Sequence, residues 1–134
     1  MSITALRFAA ETCGVRLAMR GSSMLPLLRE PMVLDVAPLR RRARVGELIV
    51  FTDGERCVAH RVLGYTGDGY ITGGDAHPER TEHTPLDAVL GRVRAVWSDD
   101  SASARRVDGA LFRFRGAWYA RARVLRALYA RRRA

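Results

Sequence analysis

Ser23 and His60 are the residues whose types and settings could carry chemistry in this chain. Ser23 lies in Arg20-Gly21-Ser22-Ser23-Met24-Leu25-Pro26-Leu27-Leu28, between a glycine turn and an apolar run. Gly21 can bend the chain at no steric cost. Pro26 fixes its own φ and keeps Leu25 out of the helical region. The outcome is a hydroxyl on a stiff backbone, the placement a nucleophile needs. Glycine, serine and proline also build ordinary surface turns, so the stretch alone does not decide. His60 lies in Arg56–Leu63, where alternation puts Val58, His60 and Val62 on one face. A histidine beside two valines is commonly a hydrogen-bonded core residue. It is also how a general base is shielded from solvent.

The chain contains no lysine; all 23 basic residues are arginine. Arginine stays protonated and cannot act as a general base. Any serine chemistry must therefore use histidine or a carboxylate. Asp75 follows Gly73-Gly74, a pair suited to a tight bend that delivers a carboxylate and equally at home in any loop. Glu79 and Glu82 lie in a polar stretch, 76–85, with His77 and His83. Their spacing fits no standard metal-ligand set, so no metal or other cofactor is expected. Cys13 and Cys57 form no disulfide framework and read as small buried hydrophobes.

The elements that must position these residues are short. Residues 2–13 place Ile3, Leu6, Ala10 and Cys13 on one helical face, with Ser2 or Thr4 as N-cap and Gly14 as terminator. Strands are expected at Val15–Met19, Met32–Val36, Leu48–Phe51, Arg56–Leu63, Tyr70–Thr72 and Arg92–Trp97. Thr52-Asp53-Gly54-Glu55 is a hairpin turn, 76–85 a polar loop, and the basic run 40–44 a solvated loop. One helix and about six short strands predict a mainly β body, a small coiled β barrel or sandwich.

At 134 residues and 48% hydrophobic, the chain suits one modest core. No stretch approaches the roughly 18 apolar residues of a membrane span. No secretory signal pattern is visible in residues 1–13, which predicts a cytoplasmic chain or one attached to the inner face of a membrane. The net charge of +9 is uneven: residues 105–134 hold ten arginines and one acid, whereas residues 1–104 hold thirteen of each sign. The expected division is a body at 1–97, a linker of small polar residues at 98–104 and an arginine-rich tail at 105–134. In that tail a helix over 110–130, weakened at Gly116, puts Leu111, Phe114, Trp118, Ala122, Leu125, Leu128 and Tyr129 on one stripe. Two settings fit it: packed on the body with arginines in water, or lying on an anionic membrane surface through 110–133. A neutral body without a nucleic-acid motif argues against nucleic acid as the partner. Nothing in the sequence fixes an oligomeric state.

Four blocks, in order over about residues 15–97, resemble the type I signal peptidase family of serine peptidases. Gly21-Ser22-Ser23-Met24-Leu25-Pro26 looks like its nucleophile box and Val45–Phe51 like the following strand. Val58-Ala59-His60-Arg61-Val62 looks like the block that carries the base. Thr72-Gly73-Gly74-Asp75-Ala76, with Val89–Val93 beyond, looks like the acidic box and closing strand. With histidine at the base position, the chain is similar to the endoplasmic-reticulum and archaeal Ser-His branch rather than to Ser-Lys members or self-cleaving repressors. The resemblance implies a signal-peptidase-type β fold, Ser23 as nucleophile, His60 as base and Asp75 holding the histidine tautomer or shaping the loop. It implies an oxyanion hole from the backbone at Ser23 and Ser22, and a peptide or precursor protein as substrate. In Ser-His members a later acid is the more usual third residue. That spacing lands here on Thr81, so Glu82 and Glu79 stand as alternatives to Asp75. The family's N-terminal spanning helix has no counterpart. A binding module on the same fold, holding a peptide without cutting it, is the competing expectation.

Overall fold

A computed structural model describes residues 2–25, 27–28, 31–98 and 105–133. Pro26 and most of the expected linker, 99–104, lie outside them. The first element is α1 (Ile3–Thr12), capped by the Ser2 hydroxyl, which accepts from the Ala5 N–H at 3.2 Å. Leu6 and Ala10 are its buried positions; Cys13, expected among them, is exposed at the helix end.

The strands follow as β1 (Val15–Met19), β2 (Met32–Ala37), β3 (Leu48–Asp53), β4 (Arg56–Thr66), β5 (Gly69–Gly73), β6 (Glu82–Pro85), β7 (Val89–Ser98) and β8 (Arg105–Arg106). All pairings are antiparallel, in the order β1-β2-β7-β3-β4-β5-β6, with β8 also on β7. The molecule is mainly β, and the sheet curls into a half-barrel between an N-terminal and a C-terminal helix. Register shifts at Asp35/Val36, Val50/Phe51 and Val62/Gly64 interrupt the ladders. Such irregularities sharpen local twist and help a sheet to curl.

The apolar run Leu48–Phe51 is buried on both faces of the sheet. Leu48 and Val50 join one core with Leu34, Val36, Leu90 and Val93. Ile49 and Phe51 join a second with Val62 and Tyr70. This is why β3 reads as a continuous apolar segment rather than an alternating one.

Two expectations are corrected. The polar loop 76–85 ends in a strand: β6 pairs with β5 through Thr72 opposite Glu82 and Tyr70 opposite Thr84. The linker does not begin at 98, because Ser98 closes β7, opposite Met32. The tail meets the body, one of the two settings open to it. Val107 is buried in the first core, and α2 (Ala110–Arg133) packs on the body without a break at Gly116. The basic run 40–44 is a loop whose arginines are engaged. Arg41 bonds Glu47 at 3.0 Å, and Arg42 lies 4.2 Å from the Tyr65 ring centroid.

Candidate active site

Strand β1 delivers the chain to the serine turn. Met24 and Leu28 are buried and anchor it, while Ser23 is half-buried between the exposed Ser22 and the core. The turn is clasped by the 74–76 loop: the Ala76 N–H donates to the Ser23 carbonyl at 2.9 Å, and the Asp75 N–H reaches the Met24 sulfur at 3.4 Å. Among the described residues the Ser22 and Ser23 N–H groups have no acceptor, as oxyanion donors require.

His60 stands on β4 opposite Ile49, on the face of the second core with Val58 and Val62, as alternation predicts. Its ring meets Phe51 edge-on, with centroids 5.7 Å apart. Nδ1 bonds the Glu82 carboxylate, and Nε2 is buried with no hydrogen-bond partner. An Nδ1–H donated to a carboxylate leaves the Nε2 lone pair free to accept a proton. Glu82 is held in turn: the Thr72 hydroxyl donates to Glu82 Oε1 at 3.1 Å and lies 2.8 Å from the Thr84 hydroxyl. The same edge is tied down by His83, which bonds the Asp68 carboxylate at 2.9 Å. That bond and one from Thr66 hold Asp68 below its usual carboxylate range.

Gly74 joins the serine to the histidine. A methyl group at its α-carbon would lie 2.4 Å from the Ser23 carbonyl oxygen, 3.1 Å from Ser23 Cβ and 3.2 Å from His60 Nε2. One small space is thus bounded by both candidate residues. The Ser23 hydroxyl does not bond Nε2 in this conformation.

The carboxylates separate clearly. Asp75, expected to hold the histidine tautomer or to shape the loop, does not meet the ring and accepts from Arg61 Nε at 2.9 Å and Nη2 at 2.6 Å. Alternation explains the correction: Arg61 follows His60 on β4 and points to the opposite face, taking Asp75 with it. Glu79 is exposed, 3.8 Å from Arg80, and makes no contact with His60. Of the three carboxylates only Glu82 meets the ring.

The cleft around these groups measures about 460 Å³. Met19, Met32 and Phe51 supply apolar wall, and Arg20, Arg56 and Arg80 bring basic side chains to it. Cys57 also lines it, and burial pushes its thiol above the usual range, which disfavours the reactive thiolate. His77 lines the cleft without a bond to Glu82, and His83 is spent on Asp68.

Two contributors escape the sequence reading. Thr72 is buried on β5 and steers Glu82. Arg123, on α2, is buried and donates to the carbonyls of Gly74 (3.2 Å), His77 (2.6 Å), Pro78 (2.7 Å) and Arg80 (2.5 Å). The signal for the latter was Gly116 and Ala120, two small residues four apart that mark a close-packing helix face. Comparison with protein-family models, curated proteins and solved structures gave no match to this chain.

Proposed function

We propose that the chain is a serine endopeptidase of the signal-peptidase kind, in which Ser23, His60 and Glu82 act as nucleophile, base and orienting acid. The observation that carries the reading is His60: Nδ1 engaged by a carboxylate, and Nε2 buried, unbonded and facing the space that Ser23 also bounds. In the reaction, Ser23 Oγ attacks the scissile carbonyl and its proton passes to Nε2. The oxyanion that forms is met by the N–H groups of the serine turn. The C–N bond breaks as Nε2 returns the proton to the leaving amine. Water, deprotonated by the same nitrogen, then hydrolyses the ester. Glu82 stays ionised and stabilises the imidazolium. The reading needs no cofactor. The substrate is a peptide or precursor protein laid in the cleft beside β1. A cytoplasmic position, in solution or at the inner face of a membrane, belongs to the same proposal.

A second reading has one observation in its favour, the missing Ser23–His60 hydrogen bond. If the hydroxyl never reaches Nε2, the cleft holds a peptide without cutting it. A serine-directed fluorophosphonate separates the two. Under the peptidase reading it labels one site, labelling is absent in Ser23→Ala, and His60→Ala slows it by roughly 10⁴-fold or more. Labelling that is absent from the wild type, or that persists in Ser23→Ala, defeats the reading.

A further inference from the structure

Helix α2 meets the body along Gly116, Ala120 and Arg123, which are buried. The contact is close: a methyl on Gly116 would lie 2.4 Å from the Gly46 carbonyl oxygen and 2.5 Å from Arg61 Nη1. The opposite side of the helix carries four large, exposed apolar residues. Leu111 is 63% exposed, Phe114 70%, Trp118 69% and Leu125 65%. At 3.6 residues per turn these four fall within about 60° of arc, centred opposite the buried face. Arg115 and Arg126 flank the arc on one side and Arg121 on the other, all exposed. The helix contains no acidic residue.

We propose that this outward face docks on an anionic lipid bilayer, lying in the interface with its apolar arc among the acyl chains. The occupant follows from the combination of features. Phosphate-bearing headgroups suit the flanking arginines, and the hydrocarbon boundary covers Leu111, Phe114, Trp118 and Leu125. Trp118 at such a depth is where an indole prefers to sit. A nucleic acid would match the arginines and leave the apolar arc in water. A second copy would cover the arc and set arginine against arginine. Insertion across the bilayer is not available to this helix: among the described residues none is long and apolar enough to span. The proposal is independent of the chemistry assigned to Ser23.

The test uses the full chain carrying Trp97→Phe, so that Trp118 is the sole reporter. Its emission should shift to the blue with phosphatidylcholine vesicles containing phosphatidylglycerol. It should stay unshifted with phosphatidylcholine alone, and the shift should reverse in high salt. Co-sedimentation should be lost in the Phe114→Ser/Trp118→Ser/Leu125→Ser variant, whose changes touch only exposed positions. Arg115→Gln and Arg126→Gln should each weaken binding roughly fivefold. Absence of any shift on anionic vesicles overturns the proposal. So does co-sedimentation of the triple variant at the wild-type level. Duplex DNA binding that is weakened by Arg115→Gln and Arg126→Gln, with no vesicle binding by the wild type, would assign the face to nucleic acid instead.

Discussion

Glu82 and Asp75 show how two carboxylates near one histidine can have unrelated work. Glu82 bonds the imidazole and is partly open to solvent, whereas Asp75 and Arg61 form a buried pair with side chains 9% and 7% exposed. Removing one partner of a buried ion pair strands the other charge and costs about 3–5 kcal/mol. Asp75→Asn is therefore expected to lower the thermal midpoint strongly, and any loss of fluorophosphonate labelling should follow unfolding. Glu82→Gln should leave the midpoint nearly unchanged and slow labelling by roughly 10³–10⁴-fold, because the amide favours the wrong tautomer. Thermal melts and labelling rates on both variants decide it; a reversed pattern would return the orienting role to Asp75. Gly74 supports a second prediction. Its missing side chain is required by the Ser23 backbone, which cannot swing aside as a flexible side chain can. Gly74→Ala should thus abolish labelling while the chain keeps its β-sheet circular-dichroism signal. The histidine was legible because period-two alternation fixes its face. The acid was legible only as an alternative: two glycines advertise Asp75, while Glu-His-Thr-Pro is too polar and too short to read as the strand that brings Glu82 to the ring.

The loop before strand β6 is held by helix α2, more than one hundred residues from the start of the chain. Arg123 is buried without a carboxylate and is compensated by four carbonyl oxygens of the loop 74–80. Fixed carbonyl dipoles can replace a counter-ion when they converge on one guanidinium, whose planar fork presents several donors at set angles. The Tyr119 hydroxyl adds a bond to the Asp75 carbonyl at 3.1 Å. The loop in turn holds Gly74 against Ser23, so these two side chains of the helix reach the site through the backbone of the loop. Hydrogen bonds to a charged group contribute roughly 1.5–3 kcal/mol each where they are lost. Arg123→Met should accordingly expose the loop 76–81 to limited proteolysis and slow Ser23 labelling. Arg123→Lys should restore little, since one ammonium cannot reach all four carbonyls. Cleavage in that loop at the wild-type rate would show that the arginine merely fills space. Gly116 and Ala120 mark the close-packing face, but an arginine in an arginine-rich helix carries no mark of its own that separates a structural member from its solvated neighbours.

At the scale of the whole molecule, charge counting and packing divide the chain differently. Charge isolates residues 105–134, yet Val107 is buried in the first core, β8 pairs with β7, and Arg61 of the body lies 5.5 Å from the ring centroids of both Phe112 and Tyr119. The helical period correctly marked an apolar stripe, and the ordinary rule would turn that stripe inward. Here the inward face is the one with glycine, alanine and a buried arginine, because only small residues let the helix backbone meet the turn at Gly46, whose own φ of +97° admits little else. Composition can locate a stripe; it cannot tell which face a distant turn will accept. The last prediction follows from that geometry. A chain ending at residue 104 loses Val107, whose burial alone contributes about 1.5–3 kcal/mol. It also loses Arg123 and the contacts on Arg61, which leaves the Asp75–Arg61 pair opened to water and the loop 74–80 without its anchor. Such a chain should melt well below the full-length protein and fail to label at Ser23. The Phe114→Ser/Trp118→Ser/Leu125→Ser variant, altered only on the outward face, should match the wild type in both melting and labelling. Measuring both chains side by side separates the helix's two faces. Should the shortened chain label at the full rate, the buried face would be shown to have no part in shaping the site, and the support assigned to Arg123 would fall with it.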